Sequence, residues 1–509
     1  MPVKIKPVKS FQPRLFGGRK SNQLSHLIED AQNMAVFHPE ILALIDKDRD
    51  RQALEKKRLR EEDKRWWEQQ GKGLGLEDPN SKEEPTVLYL AQGCTRMPAE
   101  AVLIFIMMRG YLGGFKDQKN YALLSDSSSL EAALQKLGLW KLPGASTILD
   151  NVNPVSEETL RLIMKLQNET AIAEGLDDFK KLYFDSTSIA ASSAWPTESG
   201  TIFGLLSRIH TGIRIFAQFG YQVNLPVECE SLVNEIGNCH KSISLTKGKK
   251  GAKKHTKKMY RKILRALKKL IQHYTAALRR AEKKVSNGNC LPSDKERLEG
   301  LLEWLQVDLY NVELCGNNAR RRVISGEKVD ASEKVLSIAD QDAEMIVKGG
   351  REPVFGYKPQ IGRSQTGLIV AASVPQGNAS DAGQLRSITD QALAATGILP
   401  NTLSYDDGYT NDDDRQYYLG LGVETVSFSG AKGKAQIIEE WDTESYQEAR
   451  NKRSMVESTM FILKWVFDLN RFSRRGRENA TKELLSKVIV HNMMKIRTLR
   501  ERKATAKAA

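Results

Sequence analysis

No apolar run in this chain approaches the length needed to cross a bilayer, which excludes a membrane span. The N-terminus, MPVKIKPVKSFQPRLFGGRK, is basic but has no apolar signal core, so an intracellular, cytoplasmic protein is expected. Cysteine is scarce: Cys94, Cys229, Cys239, Cys290 and Cys315 are odd in number, and no two are spaced as a zinc knuckle or redox pair. A disulfide framework is excluded, and the five read as free thiols in a reducing compartment. Cys239-His240 is the one Cys/His neighbour pair, too little for a metal site. Acid is the other shortage: residues 241–284 carry many Lys and Arg against a single acid, Glu282.

What is present is an ordinary globular balance, with 40% hydrophobic and 28% charged residues, enough to bury a sizeable core. A length of 509 residues suggests two to four structural units. The net charge of +14 points to a polyanionic partner, most commonly nucleic acid.

Residues 1–85 read as a basic and mixed-charge arm with a linker. Residues 47–70 are helix-prone with little apolar face, although Trp66 and Trp67 must pack on something. The Gly/Pro/Ser-rich GKGLGLEDPNSKEEP follows. Residues 86–175 read as a helical domain: AVLIFIMM after Pro98, SLEAALQKLGLW, a turn at LPGAST, and SEETLRLIMKLQNETAIAEG. Short helices with tight turns ahead of a second domain suit DNA binding.

Residues 181–190 (KLYFDSTSIA) read as a buried strand ending in a carboxylate. Helical text then fills 201–325. Tyr260, Leu264, Leu267, Ile271, Tyr274 and Leu278 recur at alternating four- and three-residue steps, which is a heptad seam. After SNGNCLPS, Ser293 and Glu296 form a capping-box pattern, and Leu298, Leu302, Leu305 and Leu309 continue a second helix. The pattern predicts an antiparallel hairpin with one basic arm, on which Lys253, Lys254, Lys257 and Lys258 are candidate phosphate contacts. Strand text resumes at 354–361 and 367–374, with a hairpin turn at RSQT. A helix, the strand LSYDDGY, helical text, the strand VETVSFS, and helices at 446–467 and 478–501 follow. This order is that of an RNase H-like domain with a helical insertion after its first strand.

Asp185 closes the first strand, Asp406 closes the fourth, and Glu457 lies on the helix after the fifth. In such a sheet the first and fourth strands are neighbours, so their terminal carboxylates meet at one edge, where a crossing helix adds a third. Three converging carboxylates repel one another unless cations sit between them, and hard oxygen donors suit Mg²⁺ or Mn²⁺. Two such ions would activate a water or 3′-hydroxyl and stabilise the leaving oxygen at phosphorus. An Asp at a strand end is by itself more often a cap; the joint order carries the argument. Gly408 permits a sharp turn after Asp406-Asp407. Arg453 and Lys464 stand four before and seven after Glu457, near one helical face. Side chains on a strand alternate faces, so Asp406 and Asp407 cannot both point at the metals; Asp406, which directly follows Leu403-Ser404-Tyr405 and stands two before Gly408, has the better claim.

The D-x-G-Y strand end and the R-x3-E-x6-K helix resemble the signature of DDE transposases of bacterial insertion sequences. Arg450 stands where the fuller pattern has a Tyr. RRRVISGEKVDASEKVLSIADQDAEMIVKGG, FGYKPQIG, GNASD, WPTESGTIFGLLSRI and HNMMKI are similar to ISNCY-type transposases. The resemblance spans roughly residues 86–500. It implies a mixed-sheet α/β catalytic domain of RNase H-like fold at 176–200 and 326–509, an all-α DNA-binding domain at 86–175, and an insertion at 201–325. It implies metal-dependent cleavage and strand transfer of double-stranded DNA at inverted repeats. Asp185, Asp406 and Glu457 would be catalytic and would hold two Mg²⁺ or Mn²⁺. The protein would work as a homodimer or larger, since two transposon ends must be paired. An RNase H-like nuclease, or a non-catalytic DNA-binding protein derived from a transposase, is the alternative. Arg471, Arg474, Arg475 and Arg477 read as a phosphate-facing loop or a solvated basic patch. Asn378 and Asp381 read as site neighbours, or Ser380 or Asp381 as a turn cap. Trp195 reads as packing or a base-stacking residue, and His491 as a core or supporting histidine.

Overall fold

The computed structural model describes residues 20–66, 68, 96–115, 118–193, 197–219, 221, 223–287, 291–330, 333–335, 337–347 and 352–508. Cys94, Cys290, Trp67, Trp195 and the glycine-rich linker text lie outside them. Two compact units emerge: one built from residues 1–52, 95–192 and 346–509, the other from 53–94 and 193–345. No helix of the described residues is long and apolar enough to cross a membrane.

The chain opens with α1 (Lys20–Phe37), α2 (Pro39–Trp66), α3 (Ala99–Leu112), α4 (Gln118–Ser125), α5 (Ser128–Lys136), α6 (Ala145–Val152) and α7 (Glu157–Ala173). The polar starts behave as caps: the side chain of Ser127 accepts from Leu130 N, and that of Ser156 from Thr159 N. Glu157 and Glu158 in the first turn of α7 complement its dipole. The apolar run of α3 is buried on nearly every side. The arm reading is corrected for residues 20–52: Leu24, Leu27, Ile28, Ile41 and Ile45 are buried in the first unit's core. Further along α2 the mixed charges pair locally, as Arg58 does with Glu55 and Glu62.

The strands are β1 (Lys181–Ser186), β2 (Ile189–Ala190), β3 (Glu344–Ile346), β4 (Val354–Tyr357), β5 (Gln360–Ser364), β6 (Ile369–Ser373), β7 (Thr402–Tyr405) and β8 (Thr425–Phe428). Between β2 and β3 run α8 (Glu198–Gln218), α9 (Glu228–Thr246), α10 (Ala252–Ser286) and α11 (Pro292–Ala319). After β6 come α12 (Leu385–Thr396), α13 (Asp412–Gly420), α14 (Ala431–Gln436), α15 (Glu444–Lys452), α16 (Met455–Phe461) and α17 (Arg477–Ala508).

The described residues form a five-stranded mixed sheet ordered β6-β5-β1-β7-β8. β1 is antiparallel to β5 and parallel to β7; β5–β6 is antiparallel and β7–β8 parallel. Phe184, Leu403, Tyr405, Val426 and Phe428 bury this sheet against Leu385, Ile388 and Ala392 of α12. The hairpin expected between 354–361 and 367–374 is displaced. Pro359, which has no N–H to donate, separates two strands: β4 pairs with β2, while β5 pairs with β6.

The second unit has its own core, drawn from α8, α9, α10 and α11, with Ile209, Ile236, Ile263, Leu270, Tyr274, Leu298 and Leu305 among its members. The expected two-helix hairpin is thus larger, because the apolar faces of α8 and α9 also need cover. The heptad residues Tyr260, Leu267, Tyr274 and Leu278 are buried, and Leu264 and Ile271 are partly buried. The capping-box reading fails: α11 starts at Pro292, Ser293 is already helical, and its N–H goes to Asp63 Oδ1. Arg208 pairs with the fully buried Asp308 and lies 4.1 Å over the Trp304 ring. Cys229, Cys239 and Cys315 are free and buried, and burial pushes the Cys315 thiol up to about 12. His240 Nδ1 meets Ser199 Oγ at 2.9 Å.

Candidate active site

The central strand delivers the first acid. Asp185 is buried; Oδ1 accepts from Ser186 N, and Oδ2 accepts from Arg453 Nη1 at 3.0 Å. Tyr183 pairs with Ser404 across β1–β7, and two more residues in that register bring Asp185 opposite Asp406. Phe184 stacks on Tyr405 at 4.8 Å, which ties the two strand ends together. Asp406 Oδ1 lies 3.6 Å from Arg453 Nη1 and accepts from Ser429 Oγ. Glu457 on α16 lies 3.1 Å from Arg453 Nη2, with its side chain 61% exposed. One guanidinium therefore touches all three carboxylates predicted from the sequence.

Asp407 turns away. Its Oδ1 accepts from Lys432 N and Gly433 N, capping α14. The turn expected after Asp406 is present as a single 3-10 turn at Asp407–Tyr409, and Gly408 also permits a close approach, since a Cβ there would stand 3.0 Å from Asp381 Oδ2. Tyr409 is fully buried and donates to Gln360 Oε1. Gln360 Nε2 donates in turn to Asp381 Oδ1, and Lys358 pairs with Asp381 at 2.9 Å. Asp381 is thus a buried ion-pair partner, while Ser380 Oγ accepts Gly383 N as the turn cap.

The helix expected over 446–467 is broken. α15 ends at Lys452, α16 begins at Met455, and a π-helical turn covers Ile462–Val466. Two sets of bonds fix these pieces. Ser404 Oγ donates to Ala449 O, and Tyr446 bonds both backbone groups of Phe428, holding α15 on the sheet. Arg363 of β5 donates Nη1 to Met455 O at 2.8 Å and to Thr459 Oγ1 at 2.9 Å, on either side of Glu457. Burial pulls Arg363 down to about 10. Sequence reasoning missed this clamp; the signal was an arginine inside the strand text QIGRS. Lys464 Nζ donates to Ser188 O at 2.9 Å, reaching the loop behind β1.

A cavity of about 400 Å³ is lined by these acids, Arg453, Lys464, Phe461 and Trp465. Among the described residues no three Asp, Glu, His or Cys side chains stand grouped as a metal cage. The donor chemistry nevertheless fits a hard divalent cation. Three carboxylates already converge on one positive group, and Arg453 stands in for that charge.

Of the other sequence candidates, Arg475 Nε donates to Ser192 O, and Arg471 is exposed. Arg474 is half-buried, its backbone N–H held by Glu483, which also takes Ser473 N and Oγ. His491 is buried, donates Nε2 to Gly367 O, and is pushed down to about 4 by burial, a neutral core histidine. Lys253, Lys254, Lys257 and Lys258 are exposed on α10 in the second unit; Lys257 Nζ reaches Ile324 O.

Residues 326–493 match the family model described as the transposase DDE domain. The matched span holds β3 to β8, Asp406 and Glu457, and begins after Asp185. No curated protein and no solved structure matches the chain.

Proposed function

We propose that this chain is the transposase of an insertion sequence, binding terminal inverted repeats and catalysing metal-dependent cleavage and strand transfer of double-stranded DNA. The observation that carries the reading is the convergence of Asp185, Asp406 and Glu457 on Arg453. The sheet order β6-β5-β1-β7-β8, with one antiparallel and one parallel half about β1, supports an RNase H-like catalytic domain.

Asp185, Asp406 and Glu457 would hold two Mg²⁺ or Mn²⁺ ions, which supply an activated oxygen nucleophile and a stabilised leaving oxygen. Asp185 is preset by Ser186 N and Asp406 by Ser429 Oγ, so both carboxylates are aimed before substrate arrives. Arg453 neutralises the acids in the resting protein. Its guanidinium, which lines the same cavity, would also be placed to bind a phosphate bidentately. Lys464 places a second cation at the cavity wall. Arg471, Arg474 and Arg475 supply further phosphate contacts. The exposed face of α10, with Lys253, Lys254, Lys257 and Lys258, adds sequence-independent affinity, and the helices within 86–175 read the transposon ends. Two copies at least would pair the ends.

The test uses the full chain, Mg²⁺, and labelled DNA carrying the inverted repeats that should bracket this reading frame. A transposase joins the 3′ end of the repeat to a second duplex. Cleavage without joining would assign the chain to RNase H-like nucleases instead, and end-specific binding without cleavage to a non-catalytic DNA-binding protein.

A further inference from the structure

We propose that Arg363 of β5 is a positioning residue for Glu457, setting where the third acid stands relative to Asp185. The inference rests on the transposase reading above and deepens it.

Arg363 is buried and directs its donors at neutral oxygens: Nε at Ser364 O, Nη2 at Gln365 O, and Nη1 at both Met455 O and Thr459 Oγ1. Taking a charge out of water is costly, and an apolar side chain of similar length would fill the same space without that cost. The fold nevertheless makes room for the guanidinium, since a Cβ on Gly367 would stand 3.0 Å from Arg363 Nη2. A cation retained there needs a task that an apolar residue could not perform.

The two ends of the side chain identify that task. Its backbone is fixed to the strand of the first acid, because Arg363 pairs with Tyr183 and Ile361 with Asp185. Its Nη1 holds α16 at two points one turn apart, Met455 and Thr459, and Glu457 lies midway between them. Bonds one turn apart oppose both a roll and a slide of the helix, and either motion would carry Glu457 away from the other acids. α16 needs such a hold. It has seven residues, follows a break after Lys452 and runs into a π-helical turn, and helices this short are marginal on their own. Glu457 itself is exposed, and its partner Arg453 is shared with Asp185 and Asp406. Arg453 stands in the break between α15 and α16, so it gathers the acids without setting the helix. The path runs from the β1–β5 register, through one guanidinium, to the helix that carries the third acid.

The test is Mn²⁺ binding to the full chain, followed by the electron paramagnetic resonance of the free ion. Glu457→Gln removes the third acid and sets the scale. Arg363→Met should weaken Mn²⁺ binding by about ten- to a hundredfold, as loss of a residue that orients a ligand typically does. In the Glu457→Gln background, Arg363→Met should change the affinity no further, because its target is gone; a merely structural role would lower affinity in both backgrounds. Thr459→Val removes one acceptor and should also weaken Mn²⁺ binding, while Thr459→Ser, which keeps the hydroxyl, should bind as the wild type does. That pair carries the test if Arg363→Met fails to fold. Hydrogen exchange of the 455–466 backbone should quicken in Arg363→Met and Thr459→Val, with β1 and β7 as protected as in the wild type. Wild-type Mn²⁺ affinity in Arg363→Met and Thr459→Val, or an equal loss with and without Glu457, overturns the positioning role alone. A Glu457→Gln protein that binds Mn²⁺ as the wild type does overturns the metal-holding triad and the proposal together.

Discussion

Two adjacent aspartates offer the sharpest test, because the structure gives them opposite tasks. Asp406 faces Arg453 and the acid cluster, while Asp407 caps α14 through two backbone N–H groups. Asp406→Asn keeps the shape and removes one charge from the three-acid cluster. Loss of several kcal/mol of transition-state stabilisation corresponds to a fall in rate of about a thousandfold or more. DNA binding should be unchanged or tighter, since a negative charge near phosphates is gone. Asp407→Asn keeps an oxygen that can accept both N–H groups, so only the charge at the helix N-terminus is lost, about 0.3–1 kcal/mol. Asp407→Ala removes the cap itself and should cost about 1 kcal/mol, a drop in Tm of about 2–4 °C or less. Cleavage and joining of pre-cut ends in Mg²⁺, run beside thermal unfolding, reads all three variants. An inactive Asp407→Asn beside an active Asp406→Asn would show that the strand end is read one residue out of register. An Asp407→Ala protein as stable as the wild type would remove the capping role.

Three further outcomes follow from particular side chains. His491 has its folded value pushed down to about 4 from an ordinary 6.5, so between these values the unfolded chain binds the extra proton. Stability should therefore fall by roughly 3 kcal/mol as pH drops through that window, and denaturant melts of His491→Gln should show a flatter pH dependence. Replacing Lys253, Lys254, Lys257 and Lys258 by Gln should weaken binding to all DNA sequences alike and lower the slope of log affinity against log salt by about one unit per lost contact; an unchanged slope would mean that the face carries no phosphate. Gly356→Ala would drive a Cβ into the Ile189 carbonyl and the Ala190 backbone, so expression of soluble protein should drop sharply, and a variant with wild-type Tm would contradict that packing.

That Asp185, Asp406 and Glu457 come together was legible because the signal is local: a buried strand ending in Asp, twice, and a helix with cations at helical spacing. That Asp406 and Asp407 face different ways was legible too, although the cause is different: the strand ends at Tyr405 and Asp407 already lies in a 3-10 turn. What joins distant strands was not. Arg363 reaches Met455 and Thr459 across 92 and 96 residues, and the Tyr409–Gln360–Asp381–Lys358 chain needs the β5 register before any of its members can be paired. Gly408 was legible as a turn residue, but its close approach to Asp381, far away in sequence, was not. The π-helical turn at 462–466 has no compositional mark, so the helix over 446–467 read as continuous. The second unit was under-read for a similar reason: the heptad seam on α10 is visible, but the helices covering it are set by packing.

A long excursion between β1 and β5 poses a physical problem, since it interrupts the chain a few residues after the first catalytic candidate. The entropy of closing a loop rises only slowly with its length, so a secure closure near the sheet is enough. The structure supplies one. Ile189 and Ala190 on the outgoing strand pair with Tyr357 and Gly356 on the return. The other edge of Ala190 is also used: its N–H goes to Asn470 O, and Phe472 N donates to its carbonyl. Phe472 then packs edge-on to Tyr357 at 5.5 Å, and Arg475 holds Ser192 O. The arginine-rich loop is thereby fastened to the root of the excursion, and Glu483 of α17 fixes its backbone. Lys464 grips Ser188 from the other side. The five residues after Asp185 are thus bonded to β4, to the π-helical turn and to the arginine loop. The position of the first acid is set by these short-range bonds within its own unit, whatever length of chain is spliced in beyond Ser192.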